Sequence, residues 1–151
     1  MRIVTTRLAA IAAAALLSLP AVATARPISW GGNGHNGLGP ASILLSVQNG
    51  RAKVTNVQLI MKCTDASDGT VSSSAFFAHY RTAESLRANH YAFDFTASSS
   101  GRVGRVRIDG VLRSNGTGTA RVRVHAVGFG EHNEVADRCD GTVHLNLRRG
   151  N

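Results

Sequence analysis

The stretch from Val106 to Ala126 constrains the fold more than any other. Val106, Ile108, Gly110 and Leu112 alternate with Arg105, Arg107, Asp109 and Arg113. A turn sequence, Ser-Asn-Gly-Thr-Gly, fills residues 114–118, after which Ala120, Val122, Val124 and Ala126 alternate with Arg121, Arg123 and His125. Alternation of apolar and charged residues with period two marks a strand with one face buried and one in water. Two such runs joined by a turn rich in Gly and Asn make an antiparallel hairpin. Symmetry about Gly116 predicts Asp109 opposite Arg123 and Arg107 opposite His125.

The same pattern recurs along the chain. Ile43, Leu45 and Val47 alternate up to Asn49-Gly50, the dipeptide favoured in two-residue hairpin turns. The chain returns as a long strand to Cys63. Val54 and Val57 are out of step, which predicts a bulge between them, and Val57, Leu59, Met61 and Cys63 then share a face. Residues 65–69 read as a turn, residues 71–79 as a strand, and residues 81–88 as a loop or a single helical turn. Tyr91, Phe93 and Phe95 alternate with Ala92 and Asp94, a turn follows at residues 98–101, and a last strand from Thr142 to Arg148 turns Val143, Leu145 and Leu147 inward. Residues 27–40 are rich in glycine and carry no period; they are expected to be irregular, with Trp30 pinning them to the body. About seven strands, hairpin connections and no crossover helix predict an all-β fold. The first expectation is an antiparallel two-sheet β-sandwich, and the alternative is a small β-barrel.

The N-terminus reads as an export signal. Arg2 and Arg7 precede an apolar run at residues 8–19, Pro20 ends it, and Ala23-Thr24-Ala25 is a small-x-small cleavage pattern. The expected organisation is a signal peptide over residues 1–25, cleaved after Ala25, a Gly-rich segment over residues 26–40, and a β-sandwich domain over residues 41–151. The apolar run is shorter than the roughly 20 residues of a membrane span, and no later segment qualifies, so a secreted, extracellular chain is expected. Removing 25 of 151 residues leaves 126, and takes the basic residues from 17 to 15 against 9 acidic ones. A basic exported domain suits polyanionic surroundings. Cys63 and Cys139 are the only cysteines, which in an exported chain are most simply one disulfide.

The order of features resembles small secreted β-sandwich proteins of actinomycete bacteria whose function is unknown. The resemblance rests on Trp30-Gly31 and the Gly-rich opening, Asn49-Gly50-Arg51 leading to Val54 and Val57, Cys63, Phe93 and Phe95. It continues through Gly101-Arg102, the Gly110 and Gly118 hairpin, and Cys139-Asp140-Gly141. His144 and Leu145 stand where such proteins often carry an aromatic residue. The resemblance implies a fold and brings no catalytic or binding residues.

No nucleophile elbow, phosphate loop, zinc-protease motif or EF-hand loop occurs, so nothing here identifies a catalytic residue. By parity, Arg105, Arg107, Arg113, Arg121, Arg123 and His125 share the outer face of the hairpin, with His144 and Arg148 on the outer face of the last strand. Were that strand the hairpin's neighbour, the eight would form one basic plate for polyanions. Asp65, Asp68, Asp137 and Asp140 flank the two cysteines. A disulfide would confine them to one end of the molecule, the kind of oxygen cluster that Ca²⁺ takes. Turn chemistry accounts for Asp68-Gly69 and Asp140-Gly141 without any cation. The expected role is a secreted, non-enzymatic binding module without a cofactor, its partner an anionic cell-envelope polymer or another extracellular protein. The alternative is an extracellular hydrolase or an enzyme inhibitor on the same fold.

Overall fold

The computed structural model describes residues 25–150. The leader expected over residues 1–25 lies, except for Ala25, outside the described residues. The chain is all-β, with nine strands and no helix among the described residues. The strands are β1 (Ile28–His35), β2 (Pro40–Gln48), β3 (Arg51–Asp65), β4 (Val71–Ala78), β5 (Glu84–Ser85), β6 (His90–Ser99), β7 (Arg102–Leu112), β8 (Thr117–Phe129) and β9 (Val135–Arg149). They form one antiparallel sheet in the order β4-β3-β2-β1-β9-β8-β7-β6, with β5 on β3.

The two longest strands, β3 and β9, organise the sheet. Over residues 62–65, β3 pairs with β9, placing Cys63 directly opposite Cys139. Their sulfurs lie 2.06 Å apart, at bonding distance. Beyond this point the strands diverge like a fork, and the β1–β2 hairpin fills the gap: β2 pairs with β3 and β1 reaches β9 at Gly31 and Trp30. The disulfide therefore sits where the two arms of the fork meet.

Local chemistry explains most of this. Asn49 and Gly50 both have positive φ, 51° and 69°, as their two-residue turn requires. The bulge lies where expected: Leu45 pairs with Val54 but Leu44 with Asn56, which leaves Thr55 extra and keeps both valines buried. Thr55 Oγ1 donates to the Leu44 carbonyl at 2.9 Å. The apolar positions of all the long strands join in one core that includes Leu45, Leu59, Met61, Phe76, Ile108 and Leu147. Tyr80 stacks on Phe95 with ring centroids 4.5 Å apart, so the β4–β5 connection closes over β6. The two free ends of the strand order also meet, where the Phe77 amide donates to Ser99 Oγ at 3.0 Å.

Four sequence expectations need correction. The last strand begins at Val135 rather than Thr142, so Asp140-Gly141 lies within β9 and forms no turn. The Gly-rich opening is not irregular: it is β1, paired along its whole length with β2. Trp30 is buried as expected, but the next two core-facing positions are glycines because β9 occupies their space. A β-carbon at Gly32 would lie 2.7 Å from Leu147 Cδ2, and one at Gly34 would lie 2.6 Å from Leu145 Cδ2. With the apolar side chains supplied by its neighbour, β1 shows no apolar period of its own. Residues 81–88 form no helical turn; they carry the two-residue strand β5, held to Arg51 and Ala52. The β7–β8 register is displaced by two residues from symmetry about Gly116. Leu112 faces Gly118, so the centre is Asn115, and Asp109 faces Arg121, Arg107 faces Arg123, and Arg105 faces His125. The tip closes through Arg113 N to the Thr117 carbonyl and Gly116 N to the Arg113 carbonyl. A two-residue displacement preserves every side chain's face and changes only its opposite number.

Candidate functional site

The outer side of β6–β9 carries the charged residues. Ala92, Asp109, Arg121 and His144 stand level across the four strands. Two residues along each strand come Asp94, Arg107, Arg123 and Thr142, and two further come Thr96, Arg105, His125 and Asp140. Strand β9 is the hairpin's neighbour, so Arg105, Arg107, Arg121, Arg123, His125 and His144 do share one face. Arg148, level with Thr117, lies further along β9, and Arg113 sits at the hairpin tip.

The face is not uniformly basic, because carboxylates are interleaved with the arginines. Asp94 takes a two-pronged contact from Arg105, Nε at 2.7 Å and a terminal nitrogen at 2.6 Å, and a third bond from Arg107 Nε at 3.2 Å. These bonds, that of Arg105 foremost, hold the Asp94 carboxyl below its usual range and push the Arg105 guanidinium up. Arg123 reaches diagonally to Asp109 at 2.8 Å, while its Nε is buried without a partner. His125 Nδ1 donates to Asp140 Oδ1 at 2.6 Å. Arg121, although level with Asp109, makes no ion pair among the described residues, since Asp109 is turned to Arg123.

Three of the clefts formed by the described residues lie on the outside of the sheet. The largest, about 950 Å³, crosses β6–β9 at the level of Asp109, Arg121, His144 and Asn146, with Glu84 and Arg87 of the β5 segment at its rim. A small one of about 320 Å³ holds Arg105, Arg107, Arg123, His125 and Asp140. The third, about 560 Å³, lies over Gly31 and Leu44 and is bordered by Asn33, Asn56 and Arg148. Beneath the largest cleft, Tyr91 crosses Gly110 on β7 and donates its hydroxyl to the Thr119 carbonyl of β8 at 2.8 Å. A side chain at residue 110 would collide with that ring. Burial, reinforced by the Asp109 charge, drives the Tyr91 phenol well above its usual value.

The four aspartates near the disulfide do not converge. Asp137 points to the core-facing side of β9, where it is 18% exposed, pairs with Arg102 through two nitrogens and accepts from the Gly128 amide. Asp140 is on the opposite face with His125. Asp65 caps its own turn through the Ser67 amide and hydroxyl, which lowers its pKa, and Asp68 accepts from the Thr70 amide. Among the described residues the one group of three potential ligands is Cys63, Asp137 and Cys139, and both of its sulfurs are committed to the disulfide. Arg102 thus answers the charge of Asp137, and His125 faces Asp140.

Sequence reasoning missed Asp94 as the partner of two arginines. The signal was available in the turn at Ser100-Gly101, both with positive φ, because symmetry about that pair sets Asp94 opposite Arg107. No protein-family model matches the chain, and no curated protein or solved structure matches it.

Proposed function

We propose that the chain is a secreted, non-enzymatic binding module of β-sandwich form that takes an anionic cell-envelope polymer on the outer face of β6–β9. The observation that carries this reading is the pairing pattern around the largest cleft. Arg121 and His144 face each other across β8 and β9 on its wall, and no carboxylate among the described residues is bound to either. An unpaired guanidinium on a concave surface is suited to a fork-like contact with a carboxylate, phosphate or sulfate. The export pattern of residues 1–25, the disulfide and the absence of any membrane-crossing helix among the described residues are compatible with work outside the cell. The resemblance to exported actinomycete proteins belongs to the same reading.

The test is retention of the mature protein, beginning at Arg26, on immobilised heparin and on neutral dextran. Retention on heparin alone, falling steeply with added salt, is expected. Passage through the heparin column at low ionic strength would overturn the proposal.

A further inference from the structure

We infer that the largest cleft and the cleft over β1–β2 form one groove for an acidic polysaccharide. This rests on the polyanion reading above and narrows it to a ligand class. The two clefts share Asn146, which stands on β9 between them. From β6 to the edge of β3 the groove crosses seven strands, about 29 Å at the usual strand spacing. It therefore runs across the strands and is long enough for several sugar units.

Its chemistry changes along its length. Asn33, Asn56 and Asn146 present amides that make no intramolecular hydrogen bond among the described residues, whereas Asn36 and Asn115 are committed to their own turns. A side-chain amide offers both donors and an acceptor, which matches the dual nature of a sugar hydroxyl. Gly31 leaves the floor of the second cleft without a side chain. Arg121 in one cleft and Arg148 in the other, neither ion-paired among the described residues, stand on neighbouring strands four residues apart in register, with Asn146 between their levels on β9. Phosphate polymers favour clustered cations, and here amides separate them. Nucleic acid bases stack on exposed aromatic rings. The only Phe, Tyr or Trp on these walls is Tyr91, which is buried.

The experiment is calorimetric titration of the mature protein with polygalacturonate, polyphosphate and neutral dextran. Polygalacturonate should bind at least about tenfold more tightly than polyphosphate, and dextran not at all. The double substitution Asn33→Ala and Asn56→Ala, at exposed positions, should weaken polygalacturonate about tenfold. Asn33→Asp, with the same shape and a negative charge, should weaken it too, and Arg81→Gln, exposed in the β4–β5 connection and on neither cleft, should leave it unchanged. Equal binding of both polyanions, with the asparagine variants unaffected, would overturn the groove and leave the polyanion reading standing. Binding of neither polyanion would overturn both.

Discussion

Arg105 and Arg107 on β7 share one carboxylate, Asp94, delivered by the adjacent edge of β6. Arg121 on β8 is the same residue type on the same face, yet its level neighbour Asp109 is drawn away by Arg123, and it looks instead toward His144. One end of the face is thus a lattice of internal ion pairs, and at the other Arg121 makes no ion pair among the described residues. The difference arises in strand order and register rather than in composition. Parity places a side chain on a face, but the cross-strand and diagonal neighbours decide whether its charge is already answered.

The comparison depends on a single register for β9, and the strongest way to break it is at Cys63–Cys139. Replacing both cysteines with alanine should cost about 2–5 kcal/mol in denaturant unfolding. A loss well under 1 kcal/mol would mean that the fork between β3 and β9 holds without its bond.

Next in size is Tyr91→Phe, which removes the hydroxyl tie from β6 across Gly110 to β8, directly beneath the cleft end. Loss of about 1 kcal/mol is expected from one buried hydrogen bond. The raised phenol pKa adds a signed effect. Its stabilising contribution is full below about pH 10, the unfolded value, and is lost as pH rises toward the folded one. The wild type should therefore lose stability on alkaline titration more steeply than Tyr91→Phe, and parallel curves would argue against a buried neutral phenol.

The smallest effect on stability belongs to the exposed pairs. Asp94→Asn should leave the melting temperature nearly unchanged, since exposed ion pairs contribute little. It should increase retention on heparin by releasing Arg105 and Arg107. Because the folded pKa of Asp94 is lowered, its small contribution is present above about pH 4 and fades as pH falls through the folded value. Unchanged or weaker retention of Asp94→Asn would show that these arginines are not masked.

Much of the fold was legible because the outer strands obey period two. The alternation at Val106–Ala126, the turn at Asn49-Gly50 and the bulge at Thr55 each follow from local chemistry. Strand β1 was not legible, because Leu145 and Leu147 of β9 supply the apolar groups its glycines lack. The basic face was legible as a face, but its charge state was not. That needed the partnership of Asp94 with Arg107, the displaced register of β7–β8, and the diagonal reach of Arg123. The acidic end failed as a cluster for a similar reason: Asp137 and Asp140 lie three residues apart on a strand and so point to opposite faces.

The most direct test of the account sets Arg121→Gln beside Arg107→Gln in equilibrium titrations with heparin at low ionic strength. Each variant loses one positive charge, so a face that acts only through its total charge would weaken equally in both. Arg121→Gln should lose about tenfold or more in affinity, the worth of one charge-assisted hydrogen-bonding group, and Arg107→Gln should stay within about twofold. Equal losses, or a larger loss at Arg107, would contradict it.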